Sequence, residues 1–271
     1  MKIICKLILL YVETEKTANF KVQGAEDVLQ ALEHLCYTKS ARKGGSNMKT
    51  IAKFFLAVVI VAQLGTSVPV LAAAQAKHPC IVLVPQYAGV VIHDHNGFKV
   101  TEDVEATARL VQKLAGEYGA DEKRIYSTGQ SMGCMITMYL AAKHPDLFAA
   151  ELLVSGQWDI SELKPLATQK FFYIAAGGDE KASGGQRELL SVLRRQGVKV
   201  STATWDATKN YGALSRAARQ EIAQGNKINF ATFVRGSVLP AGTKNNNEHM
   251  YSFDHAYQIA AVRDWLLAQH K

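Results

Sequence analysis

From His78 to the C terminus, two kinds of apolar pattern alternate along the chain. Short continuous runs rich in β-branched and aromatic residues read as strands buried on both faces: Cys80–Val84, Arg124–Ser127, Ala149–Val154, Lys170–Ala176 and Asn229–Arg235. Between them lie stretches with helical spacing. In Val104–Tyr118 the residues Val104, Ala108, Val111, Ala115 and Tyr118 share one face. Glu102 and Asp103 fall in the first turn, where the helix dipole favours acids, and Gly119 follows the last. Cys134–Lys143 is a second helix, closed by His144-Pro145, and Arg187–Gln196 a third, stopped by Gly197. Ala256–Ala268 is a final amphipathic helix. The segment after Pro85, rich in Gly, His, Asp and Asn, reads as a loop, and residues 205–226 as a polar, irregularly helical insertion. Strands alternating with helices predict an α/β fold with a mostly parallel sheet covered on both faces.

The front of the chain follows a different pattern. Met48, Lys49 and Lys53 make a short basic start, Phe54–Leu64 an apolar stretch too short to span a bilayer comfortably, and Leu71–Ala76 a small-residue tail. This reads as a secretory signal over 48–76, with cleavage after Ala73, Ala74 or Ala76 and a secreted or periplasmic product. A stable membrane anchor is not expected. Lys43-Gly44-Gly45 just before Met48 is what a purine-rich ribosome-binding site would give if read as codons. Residues 1–47 are therefore expected to be upstream sequence outside the fold, and 77–271 the folded domain.

The net charge of +7 does not change this picture. Residues 1–76 hold nine Lys/Arg and five Asp/Glu, which leaves 22 basic and 19 acidic residues evenly spread over the remainder. No basic run or interleaved aromatic stripe points to nucleic acid. Of four cysteines only Cys80 and Cys134 lie beyond the signal, both in apolar surroundings, and read as buried thiols. A disulfide between them is the alternative in an oxidising compartment.

The chemistry enters at Gly129-Gln130-Ser131-Met132-Gly133, a G-x-S-x-G motif with a strand before it and a helix after it. A sharp strand–turn–helix holds such a serine strained, its hydroxyl clear of the sheet, and the N–H of Met132 can stabilise an oxyanion. A serine nucleophile needs a base, and the base an orienting carboxylate, which in a parallel α/β sheet with this strand–turn–helix follow in the chain order Ser, acid, His. Asp179 in the exit loop of Lys170–Ala176 is the favoured acid, with Glu180 close behind and Asp159 a third candidate. His249, on a polar loop before the final helix, is the favoured base, with His255 the alternative. His144 precedes a helix-ending proline and reads as structural. His93 and His95 are two potential metal ligands on one loop without a third partner, so a surface loop is the favoured reading and no metal is expected.

Around these residues the sequence resembles a known group. Asp121–Met135, Ala141–Ala150, Ala175–Ser183 and Glu248–Asp254, with Val262-Arg263-Asp264-Trp265, are similar to secreted α/β-hydrolases of the polyhydroxybutyrate-depolymerase and feruloyl-esterase-like group. The resemblance covers about residues 77–271. It implies an α/β-hydrolase fold, hydrolysis of small or polymer-borne carboxylic esters through an acyl-enzyme, no cofactor, and Ser131, Asp179 and His249 as nucleophile, acid and base. It also implies strands ahead of Cys80–Val84, one of them beside the nucleophile strand and ending in a His-Gly loop that supplies a second oxyanion N–H. No such motif occurs, so an N-terminally truncated sheet is expected. The alternative function is a weak or inactive relic acting at most as a binding module.

Overall fold

The computed structural model describes residues 6–11, 80–85, 87, 89–244 and 246–271. Its main sheet contains β1 (Lys6–Tyr11), β2 (Cys80–Leu83), β5 (Ile125–Gln130), β6 (Ala150–Val154), β7 (Phe171–Ala176), β8 (Val200–Trp205) and β9 (Ile228–Phe233). Their spatial order is β2-β1-β5-β6-β7-β9-β8, and every neighbouring pair is parallel. A small antiparallel hairpin, β3 (Ile92–His93) with β4 (Lys99–Val100), stands apart. The helices are α1 (Glu102–Tyr118), α2 (Met132–Lys143), α3 (Glu180–Arg195), α4 (Tyr211–Ile222), α5 (Glu248–Gln258) and α6 (Ala260–Ala268).

The central strands are buried at every position because both faces are covered. On one face Glu151 and Leu153 of β6, with Phe171, Tyr173 and Ala175 of β7, point toward the layer of α1, α2 and α3. On the other, Ala150, Leu152 and Val154 with Phe172, Ile174 and Ala176 meet α4, α5 and α6. The period-2 alternation of a strand thus feeds two separate apolar layers. The α/β-hydrolase fold class expected from the sequence is the fold observed.

Several elements depart from the sequence expectation. The strand expected beside the one that leads into Ser131 is present: Lys6–Tyr11 lies between β2 and β5, with Leu7 opposite Ile125 and Tyr11 opposite Gly129. The expected gap in the sheet is therefore filled, by six residues of a segment expected to lie outside the fold. The signal segment 48–76 lies outside the described residues. The segment 205–226 is no insertion: β8 ends in it at Trp205, and α4 packs against α6. β8 escapes notice because Val-Ser-Thr-Ala-Thr-Trp is an edge strand with Thr202 and Thr204 exposed, so it has no apolar run. The loop after Pro85 contains the β3–β4 hairpin, turned through Asn96 and Gly97 at positive φ. Helix α3 begins at Glu180 rather than Arg187, because Gly184-Gly185 in its second turn hides the helical pattern. The single final helix is two, broken at Ile259, whose backbone is extended at φ −75° and ψ 100° while its side chain stays buried.

Candidate active site

The C-terminal ends of β5, β6, β7 and β9 open onto one edge of the sheet, the edge where parallel α/β sheets place their ligands. Past the strand ends the backbone pairing continues. Ser131 N–H donates to Val154 O at 3.0 Å, Ser155 N–H to Ile174 O at 2.9 Å, and Gly177 N–H to Phe233 O at 2.9 Å. The loops that carry the candidate residues are thereby tied to one another before any side chain is considered.

Ser131 sits between β5 and α2 at φ 52° and ψ −120°, a conformation rare for any residue but glycine. The motif glycine ahead of it is required by contact. A Cβ on Gly129 would lie 2.2 Å from both the carbonyl carbon and oxygen of Gly133. Gly156, after β6, is held the same way: its Cβ would fall 2.5 Å from Cys134 Cβ and 2.6 Å from Ser131 O. Met132 is the first residue of α2 and is buried, so its N–H is one of the unpaired donors of a helix N-terminus. Cys134, one turn on, carries a free and fully buried thiol that burial pushes well above its usual range, which leaves it inert beside the serine.

Three side chains from three separate segments meet here. His249 Nε2 is 2.9 Å from Ser131 Oγ, and His249 Nδ1 is 2.6 Å from Asp179 Oδ2. Asp179 is buried and also caps α3, its Oδ1 accepting Ala182 N–H at 3.1 Å. A carboxylate held by a backbone donor on one oxygen and an imidazole on the other has its rotamer fixed. His249 is not on a loop, as its polar setting suggested, but is the second residue of α5. That helix starts where the Asn247 side chain accepts Met250 N–H.

The alternatives lie elsewhere. Glu180 is exposed and pairs with Arg235, whose hydrogen bond holds its carboxyl below the usual range. Asp159 caps its own turn by accepting from Ser161 N–H and Oγ–H. His255 Nε2 meets Val238 O at 3.2 Å, its ring packs on Phe233 and Tyr211, and burial pushes its pKa down. His144 pairs with Glu105 at 2.7 Å. His93 is half-buried and His95 exposed, and no group of three potential metal ligands occurs among the described residues.

Three supporting features had no signal in the sequence. Glu248 is buried, with Oε2 accepting Gly178 N–H at 3.0 Å and Oε1 accepting Gly236 N–H at 2.8 Å. Ser155 Oγ lies 2.7 Å from Ser252 Oγ, and the Ser252 hydroxyl donates to His249 O at 2.7 Å. Asp94, in the β3–β4 turn, accepts from Gln157 Nε2 at 3.0 Å and pairs with Lys181 Nζ at 2.7 Å. Burial alone would raise the Asp94 carboxyl, but Lys181 and Gln157 outweigh it and hold it low. Gln157, Glu180, Lys181 and Arg187 line a polar groove of about 530 Å³ beside the start of α3.

A family model described as "Putative esterase" matches residues 94–255, more than half of the chain. The chain belongs to this esterase family. Among curated relatives, acetylxylan esterase A of Aspergillus ficuum is 44% identical over 62 residues, which are 23% of this chain and 20% of that protein. Feruloyl esterase B of Talaromyces stipitatus is 39% identical over 62 residues, 23% of this chain and 16% of that one. The aligned part is thus about a fifth of each of these two relatives or less. Among solved structures, a thermostable esterase superposes with a TM-score of 0.60 at 19% identity, covering 99% of this chain and 55% of the other. The feruloyl esterase module from Clostridium thermocellum gives a TM-score of 0.50 at 12% identity, covering 99% and 80%. At such identity these likenesses establish the α/β-hydrolase fold of the esterase-family chain. Among its described residues no helix is long and apolar enough to cross a membrane.

Proposed function

We propose that the chain is a serine esterase that cleaves carboxylic esters through an acyl-enzyme, with Ser131 as nucleophile, His249 as base and Asp179 as the orienting acid. The observation that carries this is the unbroken chain of hydrogen bonds from Asp179 through His249 to Ser131, at 2.6 and 2.9 Å. In the first half-reaction His249 Nε2 takes the Ser131 proton as Oγ attacks the ester carbonyl. Asp179 accepts the Nδ1–H bond and stabilises the imidazolium. The Met132 N–H, at the positive end of α2, stabilises the oxyanion. His249 then returns the proton to the leaving alkoxide, and the acyl group stays on Ser131. Water, deprotonated by the same imidazole, releases the acid and restores the hydroxyl. No step calls for a cofactor.

Membership of the esterase family and the names of the acetylxylan and feruloyl esterase relatives support esters as the substrate class. The inactive-relic alternative has no observation in its favour. The test is hydrolysis of short-chain p-nitrophenyl esters, which Ser131→Ala is expected to abolish. Undiminished hydrolysis by that variant would overturn the proposal. Export to the periplasm or medium is a second, separate part of the proposal and rests on the Met48–Ala76 pattern alone. It gives a mature N-terminus between Ala74 and Lys77, and mass-spectrometric sequencing that finds residues 1–47 intact on an exported protein would refute it.

A further inference from the structure

Glu248 is a buried carboxylate that takes no part in the proton relay, yet it lies where the acid and base segments meet. It directly precedes His249, and Gly178, whose N–H it accepts at 3.0 Å, directly precedes Asp179. Its other oxygen accepts Gly236 N–H at 2.8 Å, in the loop after β9. One side chain thus ties together the exit of β7, the exit of β9 and the first turn of α5. The fit allows no slack. A Cβ on Gly178 would fall 1.8 Å from Glu248 Oε1 and 2.2 Å from its Cδ, and all three nearest atoms to that Cβ belong to Glu248. Gly178 is not among the glycines at positive φ, so its backbone would accept another residue. The nearest obstacles to a side chain there are the carboxyl atoms of Glu248, which a Cβ would push from their place. The chemistry of the pair is equally specific: two backbone donors face two acceptor-only oxygens, and an amide would turn an NH₂ toward one of them.

We infer that Glu248 is a positioning residue for turnover: through Gly178 and the first turn of α5 it sets the separation of Asp179 and His249. The inference rests on the proposed relay. A hydrogen bond of 2.6 Å between Asp179 and His249 leaves little room for either segment to drift.

The experiment measures kcat and KM on a p-nitrophenyl ester, with active sites counted by fluorophosphonate titration, for Glu248→Gln, Glu248→Ala, Gly178→Ala and the Gly178→Ala/Glu248→Ala double variant. Glu248→Gln is expected to lower kcat per titrated site about ten-fold, the loss of roughly one hydrogen bond's worth of positioning, with KM unchanged. Glu248→Ala is expected to lower it further. Gly178→Ala is expected to impair the native chain and to add little to Glu248→Ala, because the atoms it would strike are gone. Fewer titratable sites with kcat per site unchanged would mean that Glu248 only supports folding, and would overturn the inference. So would strictly additive effects of the two alanine substitutions. The isosteric Glu248→Gln keeps the test decisive if the alanine variants do not fold. Hydrolysis surviving in Ser131→Ala would instead refute the relay itself, a result separate from any of these.

Discussion

At Ser131 the strained backbone persists because its neighbours leave no other path: its N–H is held by Val154 and its O by Met135 N–H at 3.1 Å. His249 and His255 are both on α5, six positions apart in the sequence, yet they face different surroundings. Under the proposed relay, His249→Ala is expected to lower kcat by about 10⁴-fold or more. His255→Ala is expected to keep turnover and to lower stability through the lost packing on Phe233 and Tyr211. Steady-state kinetics on both variants, with their melting temperatures, checks the pair of outcomes, and a reversed order would reassign the base. The serine was legible because its motif is local. The choice of Asp179 over Glu180 was less so, since it depends on which carboxylate the fold buries. Glu248 was not legible at all: its partners lie 70 and 12 residues away, and no local pattern encodes them.

Among the elements, β2, β6, β7 and β9 were legible to within two residues, because burial on both faces favours continuous apolar runs, whereas β5 extends three residues beyond the expected end through its buried polar residues Thr128 and Gln130. The start of helix α3 is hidden in the sequence because it uses glycine for contact: a Cβ on Gly185 would meet Gln157 Cβ at 2.5 Å. The turn into α2 has the same character. Gly129→Ala would press a methyl into the backbone of Gly133, which cannot yield as a side chain could. That variant is expected to lose both fluorophosphonate labelling and a substantial part of its stability, measured by gel fluorescence and thermal unfolding. Strand β6 carries a different liability. Glu151 is fully buried, neither carboxyl oxygen has a hydrogen-bond partner, and burial, only partly offset by Lys170, pushes its pKa up to about 8. The folded protein thus binds its proton more tightly than the unfolded chain does. The stability this confers is complete below pH 4.5, the ordinary value for the group, and is lost as pH rises toward 8. Glu151→Gln is expected to be nearly neutral at pH 4 and to stabilise by a few kcal/mol above pH 8. Urea unfolding at the two pH values tests this, and a pH-independent difference would contradict it.

At the scale of the whole molecule, two readings of the front of the chain make opposite demands. In the sheet, Lys6–Tyr11 separates β2 from β5 and pairs with both. Cleavage near Ala76 would cut the covalent link between that strand and all the others. A parallel strand that loses a neighbour exposes unpaired N–H and C=O groups along its length. The uncleaved full chain is therefore expected to unfold more cooperatively, and at a higher temperature, than a chain starting at Lys77. Equal melting temperatures and equal monodispersity would show the strand to be dispensable. The sequence did not reveal this placement because a short run, Leu7–Tyr11 after Lys6, ahead of a secretory pattern carries no mark of the partner it joins. The alternation from Cys80 onward did reveal the parallel sheet, because each strand–helix unit encodes its own burial.

The central claim is that Ser131 is activated by His249 and Asp179. The most direct measurement is covalent labelling of the native protein with a fluorophosphonate, followed by peptide mapping. The expected result is a single labelled peptide modified at Ser131, with labelling lost in Ser131→Ala and slowed by orders of magnitude in His249→Ala. Labelling at another residue, or labelling that persists in Ser131→Ala, would contradict the account.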